Sequence, residues 1–167
     1  MSGTAVLSID ALPAVHSVTG GGSYCPGTSG VVVGIDNSEA GVEYQLYNGL
    51  SPVGSPTAGV TGSPVNFGLQ TTPGIYSVVA KNTTTHCTSN MTGTATVAIY
   101  SLPVVYNITG GGNYCSGGSG VTIGLSGSNS GISYQLMNGG AFAGTAVTGT
   151  GLPLSFGLQT FSGGYTV

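Results

Sequence analysis

The sequence predicts an all-β protein made of tandem antiparallel β-sandwiches of about ninety residues each. Three observations lead there: an internal repeat, apolar residues alternating with period two, and glycine-rich turns at matched positions of both copies. Leu12-Pro13 returns as Leu102-Pro103, TGGGSYC from Thr19 returns as TGGGNYC from Thr109, and YQL at Tyr44 returns at Tyr134, each 90 residues on. Between residues 11–50 and 101–140, 21 of 40 positions are identical. Downstream the offset falls by one, so PVNFGLQT from Pro64 matches PLSFGLQT from Pro153, and Tyr76 matches Tyr165. The lost residue lies in the Gly/Ser/Thr-rich stretch between Ser51 and Ser63, a loop that tolerates length change. Residues 1–10 (MSGTAVLSID) match 91–100 (MTGTATVAIY). The expected organisation is therefore the last strand of a preceding repeat at 1–10, a complete repeat at 11–100, and a second repeat at 101–167 truncated before its last strand.

The two copies act as an internal mutation experiment, because positions apolar in both point inward and positions that turn polar face water. A first strand is expected near Ala14–Val18. The second carries Val31/Val121, Val33/Ile123 and Ile35/Leu125 inward, with Val32 becoming Thr122 on the other face. The third carries Val42/Ile132, Tyr44/Tyr134 and Leu46/Leu136, and a weak fourth spans Val53–Ala58. Val65/Leu154, Phe67/Phe156 and Leu69/Leu158 form the fifth, and Tyr76/Tyr165 with Val78/Val167 the sixth. Ala95, Val97 and Ile99, matched by Ala5, Leu7 and Ile9, form the last. All have the period of a half-buried strand, and no segment shows a helical period. The predicted core contains Val33, Tyr44, Phe67, Tyr76 and Val97. About seven short strands in ninety residues indicate sandwiches of immunoglobulin-like type. Gly20–Gly22 with Gly110–Gly112, and Gly49 with Gly139, are expected to serve turns. Residues 91–100 run through Leu102-Pro103 without a spacer, so the repeats are expected to join directly.

Charge is scarce. Charged residues are 3% of the chain, against about 25% in a typical soluble domain. Lys81 is the one basic residue, and Asp10, Asp36, Glu39 and Glu43 are the acids. With 40% apolar residues the chain is not of the disordered type, which joins high charge to low hydrophobicity. One lysine and no arginine cannot neutralise a phosphate backbone, so no nucleic-acid partner is expected. No apolar run approaches the roughly 20 residues of a membrane helix, so no membrane insertion is expected. The N-terminus lacks the basic region of a signal peptide, and any export signal would lie outside this sequence.

Cys25 and Cys87 fall in one repeat, and Cys115 is the equivalent of Cys25. A structural disulfide Cys25–Cys87 is expected, with the partner of Cys115 beyond Val167. Closing about sixty residues would contribute roughly 4 kcal/mol, and it would imply an oxidising, extracellular setting. The rival, a metal held with His86, lacks a fourth ligand and C-x-x-C spacing.

No enzyme is expected, and no catalytic, cofactor-binding or metal residues. Acid–base or nucleophilic catalysis needs reactive groups held together, and residues 101–167 contain no Asp, Glu, Lys, Arg or His. Asp36 becomes Ser126, Glu39 becomes Asn129, Glu43 becomes Ser133 and His16 becomes Tyr106, while Asp10 corresponds to Tyr100. Asp36-Asn37-Ser38-Glu39 could offer oxygens to Ca²⁺, but it reads better as a polar turn. Lys81-Asn82 suggests a Lys–Asn isopeptide link, yet that needs a buried lysine, and Lys81 is expected where a strand ends in a polar loop. Glycosylation patterns at Asn82, Asn90 and Asn107 arise readily by chance in an Asn/Thr-rich chain.

The pattern LP…TGGGxYCxGxSGVxxGL…GxxYQLxNG…FGLQT…GxYxV…C…TGTATVxI resembles the immunoglobulin-like tandem repeats of large secreted, cell-surface adhesins of gliding and related Bacteroidetes-type bacteria. Tyr24-Cys25, Tyr44-Gln45-Leu46 and Gly74-Ile75-Tyr76 carry it most clearly. The resemblance implies export by a type IX secretion system, an extracellular or cell-surface location, and a role in adhesion, gliding or filament structure. It carries over no catalytic residue. Two functions are expected to compete. In one, the repeats form a stalk or self-assembling fibre whose partners are neighbouring repeats, or other copies joined by β-strand addition through Ala5, Leu7 and Ile9. In the other, each sandwich binds a glycan or surface polymer through aromatics such as Tyr47 and Tyr100, although Tyr47 becomes Met137.

Overall fold

The computed structural model describes residues 4–167, in which all regular structure is β-strand and no helix occurs. The chain divides into two units, Met1–Ser101 and Leu102–Val167.

Unit 1 contains β1 (Val18–Gly20), β2 (Gly22–Tyr24), β3 (Val31–Ile35), β4 (Val42–Asn48), β5 (Ser51–Ala58), β6 (Val65–Gln70), β7 (Gly74–Asn82), β8 (Thr88–Asn90) and β9 (Ala95–Ile99). They form two sheets, one ordered β1-β3-β6 and the other β2-β9-β7-β4-β5, with β8 also on β7. Every pairing is antiparallel except β2 with β9. Val33 and Ile35 of the first sheet and Tyr44, Leu46, Tyr76, Val78 and Val97 of the second are buried in one sandwich-like core. Alternation along each strand dictates which residues these are, because successive side chains leave opposite faces.

The Thr-Gly-Gly-Gly segment departs from expectation. It is a crossing between sheets: β1 pairs with β3, the chain pivots at Gly21, and β2 joins β9. A side chain has no room there, since a Cβ on Gly20 would run into the Val32 carbonyl and one on Gly21 would lie 2.7 Å from the Thr96 oxygen. The strand expected near Ala14–Val18 is therefore displaced and divided in two.

The Val65/Phe67/Leu69 alternation also fails, at Gly68. Val32 pairs with Leu69 and Gly34 with Asn66, so Phe67 and Gly68 together oppose Val33 in a β-bulge. Gly68 has φ +79°, and its N–H donates to Asn66 Oδ1 at 2.7 Å. The bulge turns Leu69 outward and Gln70 inward, and leaves Phe67 half-buried at the core's edge. Gln70 is satisfied by donating from Nε2 to the Phe67 carbonyl at 3.0 Å. Ile99 is likewise largely exposed, although Ala95 and Val97 point inward as expected. β8 has no apolar signal at all; it is Thr-Ser-Asn, held on β7 by backbone pairing.

Unit 2 contains β10 (Ile108–Gly110), β11 (Val121–Leu125), β12 (Ser133–Tyr134), β13 (Met137–Asn138), β14 (Ala141–Phe142), β15 (Val147–Thr148), β16 (Leu154–Gln159) and β17 (Tyr165–Thr166). Its β10-β11-β16 sheet keeps the register of β1-β3-β6, with Ile108 opposite Leu125 as Val18 is opposite Ile35. The same bulge recurs, with Gly157 at φ +75° and Leu158 turned outward. The other sheet is broken into β12-β15 and β14-β13-β17. Residues 102–167 contain no counterpart of β8 or β9.

Candidate functional site

Two of the four acids of unit 1, Asp36 and Glu39, are hydrogen-bond acceptors for the segment leading into β1. Asp36, just past β3, accepts the Ser17 N–H at 2.9 Å through Oδ1. Glu39 Oε2 accepts the Ala14 N–H at 3.0 Å. In unit 2 the neutral equivalents do the same: Ser126 Oγ accepts from Asn107 N at 3.1 Å, and Asn129 Oδ1 from Val104 N at 2.9 Å. Geometry is kept while charge is dropped. Among the described residues no three His, Cys, Asp or Glu side chains gather into a potential metal site.

The same turn hides a buried serine that periodicity missed. Ser38 Oγ accepts the Val60 N–H at 3.0 Å and donates to the Ser63 carbonyl at 2.7 Å, tying the β5–β6 loop to the core. Ser128 repeats this with Thr150 N at 3.1 Å and the Leu152 carbonyl at 2.7 Å. Its signal was identity between copies inside a variable turn. The Tyr44 hydroxyl accepts the Glu39 N–H at 3.0 Å, and Tyr134 accepts that of Asn129 at 2.8 Å. Burial pushes the Tyr44 phenol up from its usual 10.0; the Glu39 N–H bond opposes this, and the nearby Glu39 charge adds to it.

In unit 1, β9 is held between β2 and β7. Gly22, Ser23 and Tyr24 run parallel to Val97, Ala98 and Ile99 on one side. On the other side Gly74, Ile75 and Tyr76 pair with Val97, Thr96 and Ala95. Met91 closes the neighbouring end of the core, its Sδ 3.3 Å from the His16 N–H. Unit 2 carries two open grooves. One of about 490 Å³ is lined by Tyr106, Leu125, Tyr134 and Val167 among others, and one of about 510 Å³ by Gly111, Gly112, Tyr114, Ile123 and Tyr165 among others. Tyr24 is 9% exposed, whereas its equivalent Tyr114 is 40% exposed. Residues 112–114 form no strand, although 22–24 do. Residues 4–10, including Ala5, Leu7 and Ile9, are exposed and in no strand, and 1–3 lie outside the described residues.

The expected Cys25–Cys87 disulfide is not formed; Cys25, Cys87 and Cys115 are all free thiols. Cys25 lies just beyond the Tyr24–Ile99 pair, past the Gly74 end of β7, and Cys87 lies against Asn82 at the other end. The nine residues of β7 separate them, roughly 30 Å at ~3.3 Å per residue. A disulfide needs Cα atoms within about 7 Å. Proximity could not be read from sequence, because the two loops close opposite ends of one sheet.

Lys81 lies inside β7, not beyond it, exposed and directly across from Glu43. It has none of the burial an isopeptide link requires. His86 is an exposed turn residue at φ +62°. The buried Nε2 of His16 has no partner. His16 gives way in unit 2 to Tyr106, whose ring packs on Gly127 where unit 1 has Asn37, so the two positions change together. Tyr47, half-buried opposite Ser77, and Tyr100, exposed beyond Ile99, stand six strand positions apart, about 20 Å, and form no joint aromatic surface. No protein-family model, curated protein or solved structure matches the chain.

Proposed function

We propose that the chain is a repeat-built structural segment of an extracellular or cell-surface protein, serving as stalk or filament without catalytic activity. The observation that carries this reading is that the two units share hydrogen-bond geometry and discard reactive groups. Asp36 and Glu39 are replaced by Ser126 and Asn129 with the same backbone N–H groups captured. A catalytic or metal site would depend on the carboxylates themselves.

The sandwiches are of immunoglobulin-like type in this reading, and two features support it. A first strand that switches sheets accounts for the order β1-β3-β6 against β2-β9-β7-β4-β5. Tyr76, near the start of β7, donates its hydroxyl to the Thr72 carbonyl four residues upstream at 2.8 Å, and Tyr165 does the same to Phe161. Such a tyrosine corner at this point of the chain is a hallmark of that sandwich. With the intramodule disulfide gone, the extracellular assignment rests on the repeat pattern and its resemblance to secreted adhesins. Immunogold electron microscopy with an antibody to this chain tests it: label on the cell surface or on external filaments is expected, and label confined to the cytoplasm refutes it.

A further inference from the structure

We infer that unit 2 binds an uncharged carbohydrate, in a cleft between the β13–β14 hairpin and the segment joining β16 to β17. This goes beyond the structural reading and does not rest on it. The cleft itself belongs to the repeat. In unit 1 an open cleft of about 420 Å³ lies between the β4–β5 hairpin and the β6–β7 connection, lined by Asn48, Val53, Gln70, Thr72 and Tyr76 among others. In unit 2 one of about 450 Å³ lies between the equivalent segments, lined by Asn138, Ala143, Gln159, Phe161 and Tyr165 among others. Both volumes fall in the range of small-ligand sites, ~300–1,000 Å³. Phe142 and Phe161 set the second cleft apart, because both line it while remaining 78% and 80% exposed. The equivalent positions of unit 1, Pro52 and Thr72, are exposed with β9 in place. The repeat therefore neither buries these two positions nor needs an aromatic at either, and both gains of a phenyl ring fall on one cleft.

A sugar is the ligand these groups fit. The C–H face of a pyranose ring is apolar and stacks on a phenyl, while the hydroxyls at its edge need hydrogen-bond partners. Gln159 donates Nε2 to the Phe156 carbonyl at 3.0 Å, which leaves its Oε1 to accept from a ligand, and the Ser162 hydroxyl in the same lining can donate or accept. Charge decides the class of sugar. Residues 101–167 hold no Asp, Glu, Lys, Arg or His, so nothing there would pair with a carboxylate, sulfate, phosphate or amine. Both rings are also held in place before any ligand arrives. The Tyr165 hydroxyl donates to the Phe161 carbonyl at 2.8 Å, and Asn138 Nδ2 donates to the Ser162 carbonyl at 3.4 Å, which fixes the segment carrying Phe161. Phe142 is fixed on the other side by the pairing of β14 with β13, opposite Met137. A pre-organised pair of rings loses little freedom when a sugar stacks on it.

Native electrophoresis of the full chain, whose net charge is −3, tests this in gels holding hydroxyethylcellulose, xylan, galactomannan or a mixed-linkage β-glucan, with alginate as the charged control. Retardation in at least one uncharged gel and none in alginate is expected. Phe142→Ala with Phe161→Ala, at exposed positions, is expected to keep the wild-type denaturant midpoint and to weaken retardation roughly tenfold as two stacked rings are lost. Phe142→Pro with Phe161→Thr installs the residues that unit 1 carries at these places, and it gives the same readout should the alanines lower stability. Free migration of the wild type in every uncharged gel overturns the site, as does retardation that both double variants keep, and retardation in alginate alone overturns the uncharged class. Light scattering on the same samples separates a protein contact from a sugar site. Self-association that the same substitutions dissolve, without retardation in any gel, would assign the rings to a second protein surface and overturn the carbohydrate site. None of these outcomes bears on where antibody labels the cell, so the structural reading stands or falls separately.

Discussion

Gly21→Ala is expected to destabilise unit 1 by about 2–5 kcal/mol, and Gly111→Ala to cost unit 2 only about 1–2 kcal/mol. The two glycines hold the same place in the repeat and nearly the same backbone, φ +81° and +80°. Alanine therefore incurs the left-handed penalty at both, about 1–2 kcal/mol. Only at Gly21 does the new methyl meet structure: the Thr96 oxygen at 2.7 Å, the Thr96 nitrogen at 3.0 Å and the Ala95 Cβ at 3.2 Å. These are mostly backbone atoms of β9, which cannot rotate aside, so overpacking adds about 1–3 kcal/mol. Hydrogen–deuterium exchange read by mass spectrometry reports each unit separately, through amides of β3 and β7 for unit 1 and of β11 for unit 2. Equal losses at the two glycines would refute the reasoning, because they would mean that β9 does not press on the crossing between sheets.

Ser38→Ala removes a buried hydroxyl with two backbone partners and is expected to lower unit 1 stability by about 1–3 kcal/mol, seen as a shifted denaturant midpoint. Asp36→Asn with Glu39→Gln keeps both acceptors and should change stability by no more than about 0.5 kcal/mol, with or without Ca²⁺. Tyr44 has a raised folded pKa, so its contribution is complete below the unfolded value of 10.0 and is lost as pH climbs above it. The denaturant midpoint should therefore fall above pH 10, and by less in Tyr44→Phe. Cys25 and Cys87 should both react with a thiol reagent in the native chain, and non-reducing peptide mapping should find no link between them.

Sequence alone placed most inward residues of β3, β4, β7 and β9, Ile99 excepted, because two unequal copies filtered chance apolar residues from buried ones. Val33, Tyr44, Leu46, Tyr76 and Val97 are all buried. It failed where backbone geometry overrides alternation. The bulge at Gly68 inverts the face of Leu69 and Gln70, and the crossing at Gly21 sends one short segment into both sheets. Both failures lie at glycines with positive φ, present in both copies. Glycine identity signalled that something was required there but not whether it was a turn, a bulge or a crossing. The cysteine pairing failed for a different reason: linear order says which loops carry the thiols, and only topology says which end of the sheet each loop closes. Of the candidate site, the exchange of Asp36 and Glu39 for neutral residues was legible from the two copies, while Ser38 was hidden among polar turn residues.

Differences between the units are as informative as identities. Carboxylate gives way to hydroxyl at Asp36/Ser126 and to amide at Glu39/Asn129, yet the same backbone N–H is held at 2.9 to 3.1 Å in each case. These three groups share an acceptor oxygen and differ in charge and acidity. A position that interchanges them is selecting the oxygen and its reach. His16 with Asn37 and Tyr106 with Gly127 show the same tolerance in packing, a ring and a smaller neighbour traded as a pair. Chemistry at a site works the other way, since it needs a particular acidity or nucleophile and is indifferent to how the surrounding volume is shared. Positions that stay invariant here do so for backbone reasons: Gly20 and Gly110 under a carbonyl, Ser38 and Ser128 pinning a loop, Tyr76 and Tyr165 turning a corner. What recurs between the units is the means of stacking strands in register.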